Sequence, residues 1–191
     1  MARPRVNSDD HLLDAADAVL SRTGSARFTL EMAAREAGVS AATFVKRFGS
    51  KRGLLIASSQ RWVDAIDLDD AGRPGEPILA ALRRLSVESH TDSDDPDQAG
   101  NHVSSLAMDL GDPELTRLLA AGWDKKRRQL HAVIARAVES GELPGAPLPP
   151  AAARTLFALL EGTFLGWTVQ PHGSLIDTLG DEFDRLIATW T

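Results

Sequence analysis

Residues 29–52, TLEMAAREAGVSAATFVKRFGSKR, decide how the rest of the 191-residue chain is read. Thr29 stands where a hydroxyl can accept from a free backbone N–H at a helix start, ahead of an apolar stripe of Leu30, Met32, Ala33 and Ala37. Gly38 ends that helix, because glycine takes a left-handed backbone without a Cβ clash. Ala34, four residues earlier, is small enough to let a second helix come close. Ser40 is expected to cap that second helix, whose inward face is Phe44 and Phe48 at a spacing of one turn. Together these features predict a helix-turn-helix, with Ala41 to Arg47 as the recognition helix.

The flanking sequence supports this unit. A first helix is predicted from Asp9 to Arg22, capped by Ser8, with Asp9 and Asp10 at its positive end. Leu12, Leu13, Ala16, Val19 and Leu20 form its buried stripe, and Gly24 terminates it. Ala41, Ala42, Thr43, Lys46 and Arg47 are placed on the outer face of the recognition helix, opposite the two phenylalanines. Thr43 suits a thymine methyl or a phosphate, Arg47 suits guanine, and the two alanines allow close approach. Ser50 and Lys51 open a fourth helix, whose free N–H groups and ammonium suit a phosphate. The candidate DNA-binding set is therefore Thr29, Ser40, Ala41, Ala42, Thr43, Lys46, Arg47 and Lys51. Residues 1–7 read either as an arm carrying Arg3 and Arg5 to DNA or as a solvated tail.

The wording of this region is more specific than its pattern. AAREAGVSAATF (33–44) followed by FGSKRGLL (48–55) resembles the DNA-binding region of the TetR/AcrR transcriptional regulators, over roughly residues 8–60. The resemblance implies an all-α homodimer with an N-terminal three-helix DNA-binding domain, residues 1–52. It also implies a C-terminal helical domain, 53–191, that senses a small molecule and dimerises, with about nine helices in all. In place of the tyrosine usual in that family's recognition helix this chain has Val45, so that phosphate contact is absent; Lys46 and Arg47 read either as charge in its place or as simple helix solvation. The implied partners are a palindromic double-stranded operator and an unidentified effector. Repression is the family's common mode.

Charge is distributed accordingly. Residues 1–60 carry nine Lys/Arg against six Asp/Glu, a net +3; residues 61–191 carry twelve against twenty-one, a net −9. The absence of cysteine excludes disulfides, thiolate chemistry and Cys-ligated zinc. No apolar run is long enough to span a bilayer, and residues 1–10 lack a signal-peptide core, so a cytoplasmic location is expected.

The remaining pattern is helical. A helix from Pro77 buries Ile78, Leu79, Leu82 and Leu85, and 90–100 is expected to be an exposed acidic loop. His90, Asp92, Asp94, Asp95 and His102 match no zinc or calcium spacing, and neither metal nor cofactor is expected. A short helix over 101–110, with Val103, Leu106 and Ala107 inside, precedes a long one opened by Asp112 and Pro113. The basic run Lys125 to Arg128 reads as a solvated face paired with Asp124. The last two helices suit a four-helix dimer interface built on Ala158, Gly162, Gly166, Phe183 and Ile187. Trp123, Phe157, Glu161, Phe164 and Trp167 are the candidate ligand-binding residues. Two other functions compete: a DNA-binding dimer that senses nothing, and a helical-bundle enzyme. Against the enzyme, the chain has no paired carboxylates with His at helical spacing, no phosphate-cradling Gly loop and no Cys nucleophile.

Overall fold

The computed structural model describes residues 8–68, 70, 72–73, 75–87, 90 and 94–191. Asp92, weighed above as a metal ligand, and the arm residues Arg3 and Arg5 lie outside the described residues. Among the described residues there are nine α-helices: α1 (Asp9–Arg27), α2 (Leu30–Ala37), α3 (Ala41–Phe48), α4 (Lys51–Ala65), α5 (Ile78–Val87), α6 (Pro96–Asp109), α7 (Pro113–Glu139), α8 (Pro149–Val169) and α9 (Leu175–Ala188). They form two compact units, one built from Met1–Ala65 and Asp97–Ala121, the other from Ile66–Pro96 and Gly122–Thr191.

In the first unit α1 packs on α2 and α4, α2 on α3, and α3 on α4. Leu12, Leu13, Ala16 and Val19 of α1 meet Ala33, Ala34 and Ala37 of α2, Phe44 of α3 and Leu54 of α4 in one core. The turn between α2 and α3 is held by the αL conformation of Gly38 (φ 67°) and by Val39 N donating to the Ala34 carbonyl at 2.9 Å. Gly24 (φ 68°) breaks the regular run of α1 where the sequence placed its end, and one further turn follows before Phe28. His11 adds a tie between helices, its Nε2 donating to the Ala37 carbonyl at 3.0 Å.

The unit extends beyond the boundary expected at residue 52. That boundary falls inside α4, which runs from Lys51 to Ala65 against α1 and α3, and α6 with the start of α7 belongs to the same unit. Asn101 Nδ2 donates to the Ser21 carbonyl at 2.9 Å, Ser21 Oγ to Gln98 at 2.7 Å, and Arg52 Nε to Asp112 at 2.5 Å. The Arg52 guanidinium holds the Asp112 carboxyl down at about 2. The expected loop at 96–100 is in fact the first turn of α6, where Pro96 and Asp97 are favourable opening residues. Ala107, placed inside by its spacing, is exposed, and Val103 and Leu106 are half-buried. Polar anchors rather than a wide apolar face seat this helix.

In the second unit α5, α8 and α9 pack pairwise around Leu82, Val87, Leu156, Leu160, Leu175 and Leu179. Arg84 pairs with Asp70 at 3.0 Å and Glu76 at 2.9 Å, and holds Glu76 at about 2. The Asp94 carboxylate sits at the start of α9, where it accepts from Leu175 N at 2.5 Å and Ser174 Oγ at 3.1 Å. Phe183 (2% exposed) and Ile187 (7%), expected at a dimer interface, are buried within one copy, because α9 turns its single apolar stripe onto α5 and α8.

One helical glycine has a role that the sequence pattern does not reveal. A Cβ on Gly53 would lie 2.0 Å from the Phe48 carbonyl oxygen, where backbone has no room to yield. Gly53→Ala should therefore destabilise the fold by about 1–3 kcal/mol, the usual cost of forced overpacking. Thermal or urea denaturation measures this, and an unchanged midpoint would contradict the close approach.

Candidate nucleic-acid interface

The recognition helix is oriented by one residue. Phe44 is fully buried and lies 5.9 Å, ring centre to ring centre, from the half-buried Phe48. At about 100° per residue, Ala42 and Lys46 then point almost directly away from the core, while Val45 and Thr43 flank them. Ala42 and Lys46 are exposed, as is Val45 at 49%. Val45, which the sequence pattern does not place in the site, offers apolar surface that suits a thymine methyl.

The same rotation corrects two placements. Ala41 and Arg47 each lie about 60° from Phe44, on the flanks of the helix rather than opposite it. Ala41 accordingly packs against the core. Arg47 stays exposed but reaches back to α1, where its Nε donates to Asp9 Oδ1. Lys46 has no hydrogen-bond or ion-pair partner among the described residues.

The caps also differ from each other. Thr29 Oγ1 accepts from Met32 N at 3.3 Å, as its position predicted. Ser40 occupies the N-cap position of α3 but makes no side-chain cap bond; its hydroxyl lies 3.1 Å from that of Thr43. Both hydroxyls are thus at the N-terminal end of α3, where free N–H groups favour an anion. Lys51 is the clearest departure. Its ammonium donates to the carbonyls of Ser25 at 2.6 Å and Phe28 at 2.8 Å, and lies 5.7 Å from the Phe28 ring centre. It braces the link between α1 and α2, and two of its three donors are committed there. Ser50 caps α4 through Gly53 N at 3.1 Å.

The positive charge of this unit is less available than its sequence suggests. Arg22 pairs with Glu36, Arg52 with Asp112 and Glu114, and Arg61 with Asp14 and Asp17. Lys46 of the recognition helix is exposed and outside these pairs.

In the second unit the candidate ligand residues lie largely on α8. Phe157, Phe164 and Trp167 are buried, and Trp123 of α7 meets Phe157 edge-on at 5.5 Å. Trp167 Nε1 donates to the His172 carbonyl at 3.1 Å, which satisfies the indole within the fold. Phe164 stands 5.8 Å from His90. Glu161 is half-buried, and burial raises its carboxyl above the usual range, partly offset by Lys126. Burial likewise lowers Lys126, against the field of Glu161. In the basic run, Arg127 and Arg128 pair with Asp124, while Lys126 is half-buried in the field of Glu161. Its three basic neighbours hid it in the sequence. Among the described residues there is no group of three or more His, Cys, Asp or Glu able to hold a metal, and no helix is long and apolar enough to cross a membrane.

Residues 12–58 match the model of the bacterial regulatory proteins of the tetR family, and residues 70–181 match the tetracyclin repressor-like C-terminal domain. Among solved structures, SmeT of Stenotrophomonas maltophilia, the repressor of the multidrug efflux pump SmeDEF, is 23% identical with a TM-score of 0.70, over 97% of this chain and 92% of that one. A complex of SmeT with triclosan aligns at 24% identity and TM-score 0.68, over 94% of this chain and 90% of that one. FadR of Bacillus subtilis, in complex with stearoyl-CoA, is 16% identical with a TM-score of 0.70, over 95% and 99% of the two chains. No curated protein sequence matches.

Lys51→Met should lower stability as well as any DNA affinity, by about 1–3 kcal/mol for hydrogen bonds from a charged donor. Chemical denaturation reads this directly. A variant with wild-type stability would return Lys51 to the phosphate-binding set.

Proposed function

Because the chain belongs to the tetR family of bacterial regulatory proteins, we propose that this DNA-binding regulator is a cytoplasmic homodimer. It represses transcription from a palindromic operator and is released by a small organic molecule. The observation that carries the reading is the outer face of α3, where Ala42, Val45 and Lys46 stand free above a buried Phe44. Thr43 and Arg47 flank that face. Ser40 and Thr29 sit at helix N-termini suited to phosphate, and Lys51 contributes field more than contact.

Dimerisation is assigned to α8. Ala158, Gly162 and Gly166 form an exposed stripe continued by Leu165 (50% exposed) and Val169 (79%). Nothing in the chain lies within 4 Å of a Cβ placed on Gly162 or Gly166. A small-residue stripe edged by exposed aliphatics is what a closely packed second helix covers. Two copies related by a two-fold axis then present α3 to successive major grooves, roughly 34–36 Å apart or a multiple of that.

Release requires a ligand that binds better to the conformation with misplaced recognition helices. Trp123, Phe157, Phe164 and Trp167 supply the apolar surroundings, and the Glu161–Lys126 pair supplies polarity. A half-buried carboxyl and a half-buried amine favour a molecule that brings both a donor and an acceptor. Relatives of the same fold hold triclosan and stearoyl-CoA, which supports an apolar small-molecule site here.

Selection of bound sequences from random duplex DNA tests the reading. The expected result is a palindrome with half-sites one turn, or a multiple, apart, from which aromatic compounds can then be screened for release. Failure to enrich any sequence with folded dimer would contradict it. Gly162→Leu should convert the dimer to monomer in sedimentation without unfolding the chain, since the site is open within one copy. A variant that stays dimeric would remove α8 from the interface.

A further inference from the structure

Asp9 is not on the recognition helix, yet it makes the one described ion pair to it. It sits in the first turn of α1, and Arg47 sits in the last turn of α3, 38 residues away. Both side chains are about half exposed, at 51% and 53%. The atoms involved carry the argument. Asp9 Oδ1 takes its hydrogen bond from Arg47 Nε, not from a terminal amino group. A guanidinium has five N–H donors, and the four that remain sit on Nη1 and Nη2. Those two groups form the fork that pairs with O6 and N7 of guanine.

The other described ion pairs of this unit differ. Arg22 gives Nη2 to Glu36, Arg52 gives Nε and Nη2 to Asp112 and Nη2 to Glu114, and Arg61 gives Nη1 and Nη2 to Asp14 and Asp17. Each of those commits a terminal nitrogen and closes the fork. Arg47 alone among these keeps both ends open.

The geometry points to Asp9 as a positioning residue for sequence recognition: by holding Arg47 through Nε, it presents both terminal amino groups to a guanine edge. The inference rests on the reading of α3 as the recognition helix. Two physical effects follow from the arrangement. Arginine is among the side chains that lose most rotamer freedom when fixed, and a carboxylate that fixes it beforehand lowers that loss on binding a base. The Asp9 charge also stays beside the guanidinium, where it opposes a phosphate oxygen more than a neutral base edge. Both effects favour the operator over random DNA. A carboxylate that merely competed for Arg47 would weaken both kinds of DNA alike and leave their ratio unchanged.

The test measures dissociation constants of the full-length protein for the selected operator and for a random duplex, at one salt concentration. Arg47→Ala should lower the operator-to-random preference about ten- to hundredfold, the range of a bidentate base contact. Asp9→Ala should lower it about two- to fivefold, the range that an exposed ion pair supports. Asp9→Asn, whose amide oxygen can still accept from Nε, should fall between Asp9→Ala and wild type. Asp10→Ala removes the neighbouring helix-end charge, whose carboxylate does not pair with Arg47, and should leave the preference unchanged. In the Arg47→Ala background, Asp9→Ala should have no further effect. Thermal denaturation of each variant confirms that the fold is retained. An unchanged preference in Asp9→Ala, an equal gain on both DNAs, or the same loss without Arg47 would each overturn the inference. An Arg47→Ala protein with wild-type preference would overturn it too, and with it the role of Arg47 in base reading. A loss in Arg47→Ala without one in Asp9→Ala would leave that role standing and remove Asp9 alone.

Discussion

Burial of the Phe44 ring fixes what the DNA-binding unit can present. With that ring fully buried in the core shared with α1, α2 and α4, α3 has one rotation about its axis, and everything else on it follows from 100° per residue. Ala42 and Lys46 face out, Ala41 and Phe48 turn inward, and Arg47 is carried to the flank that adjoins α1. A smaller side chain at 44 would free the helix to roll. The Gly38 turn and the Thr29 cap set where α3 begins, but neither sets its rotation.

Much of this was legible in the chain because the signals are local. Thr29, Gly38 and the Phe44–Phe48 spacing each encode a backbone or packing requirement within a few residues. What the sequence hid depends on partners distant along it. Lys51 reads as a phosphate ligand until the Ser25 and Phe28 carbonyls come within reach of it. Arg47 reads as opposite Phe44 until one counts degrees rather than neighbours. Phe183 and Ile187 read as interface because an apolar stripe does not state which surface it covers. Gly53 looks like an ordinary helical residue, and only the Phe48 carbonyl shows why no side chain fits there.

Charge in the two units serves different ends. In the first, acids pair with Arg22, Arg52 and Arg61, while Lys46 on α3 keeps no partner among the described residues. Such pairs at the surface contribute little to stability, but they decide which groups can meet a phosphate. In the second, Arg84 gathers Asp70 and Glu76 to tie the connection before α5 to that helix, and Lys126 and Glu161 bring polarity to an otherwise apolar region. The same residue types thus brace the fold at one place and offer recognition at another, according to how completely their donors are already used.

We propose a division of labour on α3, with Lys46 meeting phosphate and Arg47 reading a base. The salt dependence of operator affinity tests it most directly. Lys46→Ala should make the log–log slope shallower by about one for each subunit, as expected when one phosphate contact is lost, while Arg47→Ala leaves the slope near that of wild type. Equal loss of slope in both variants would contradict the claim and make Arg47 a second phosphate contact.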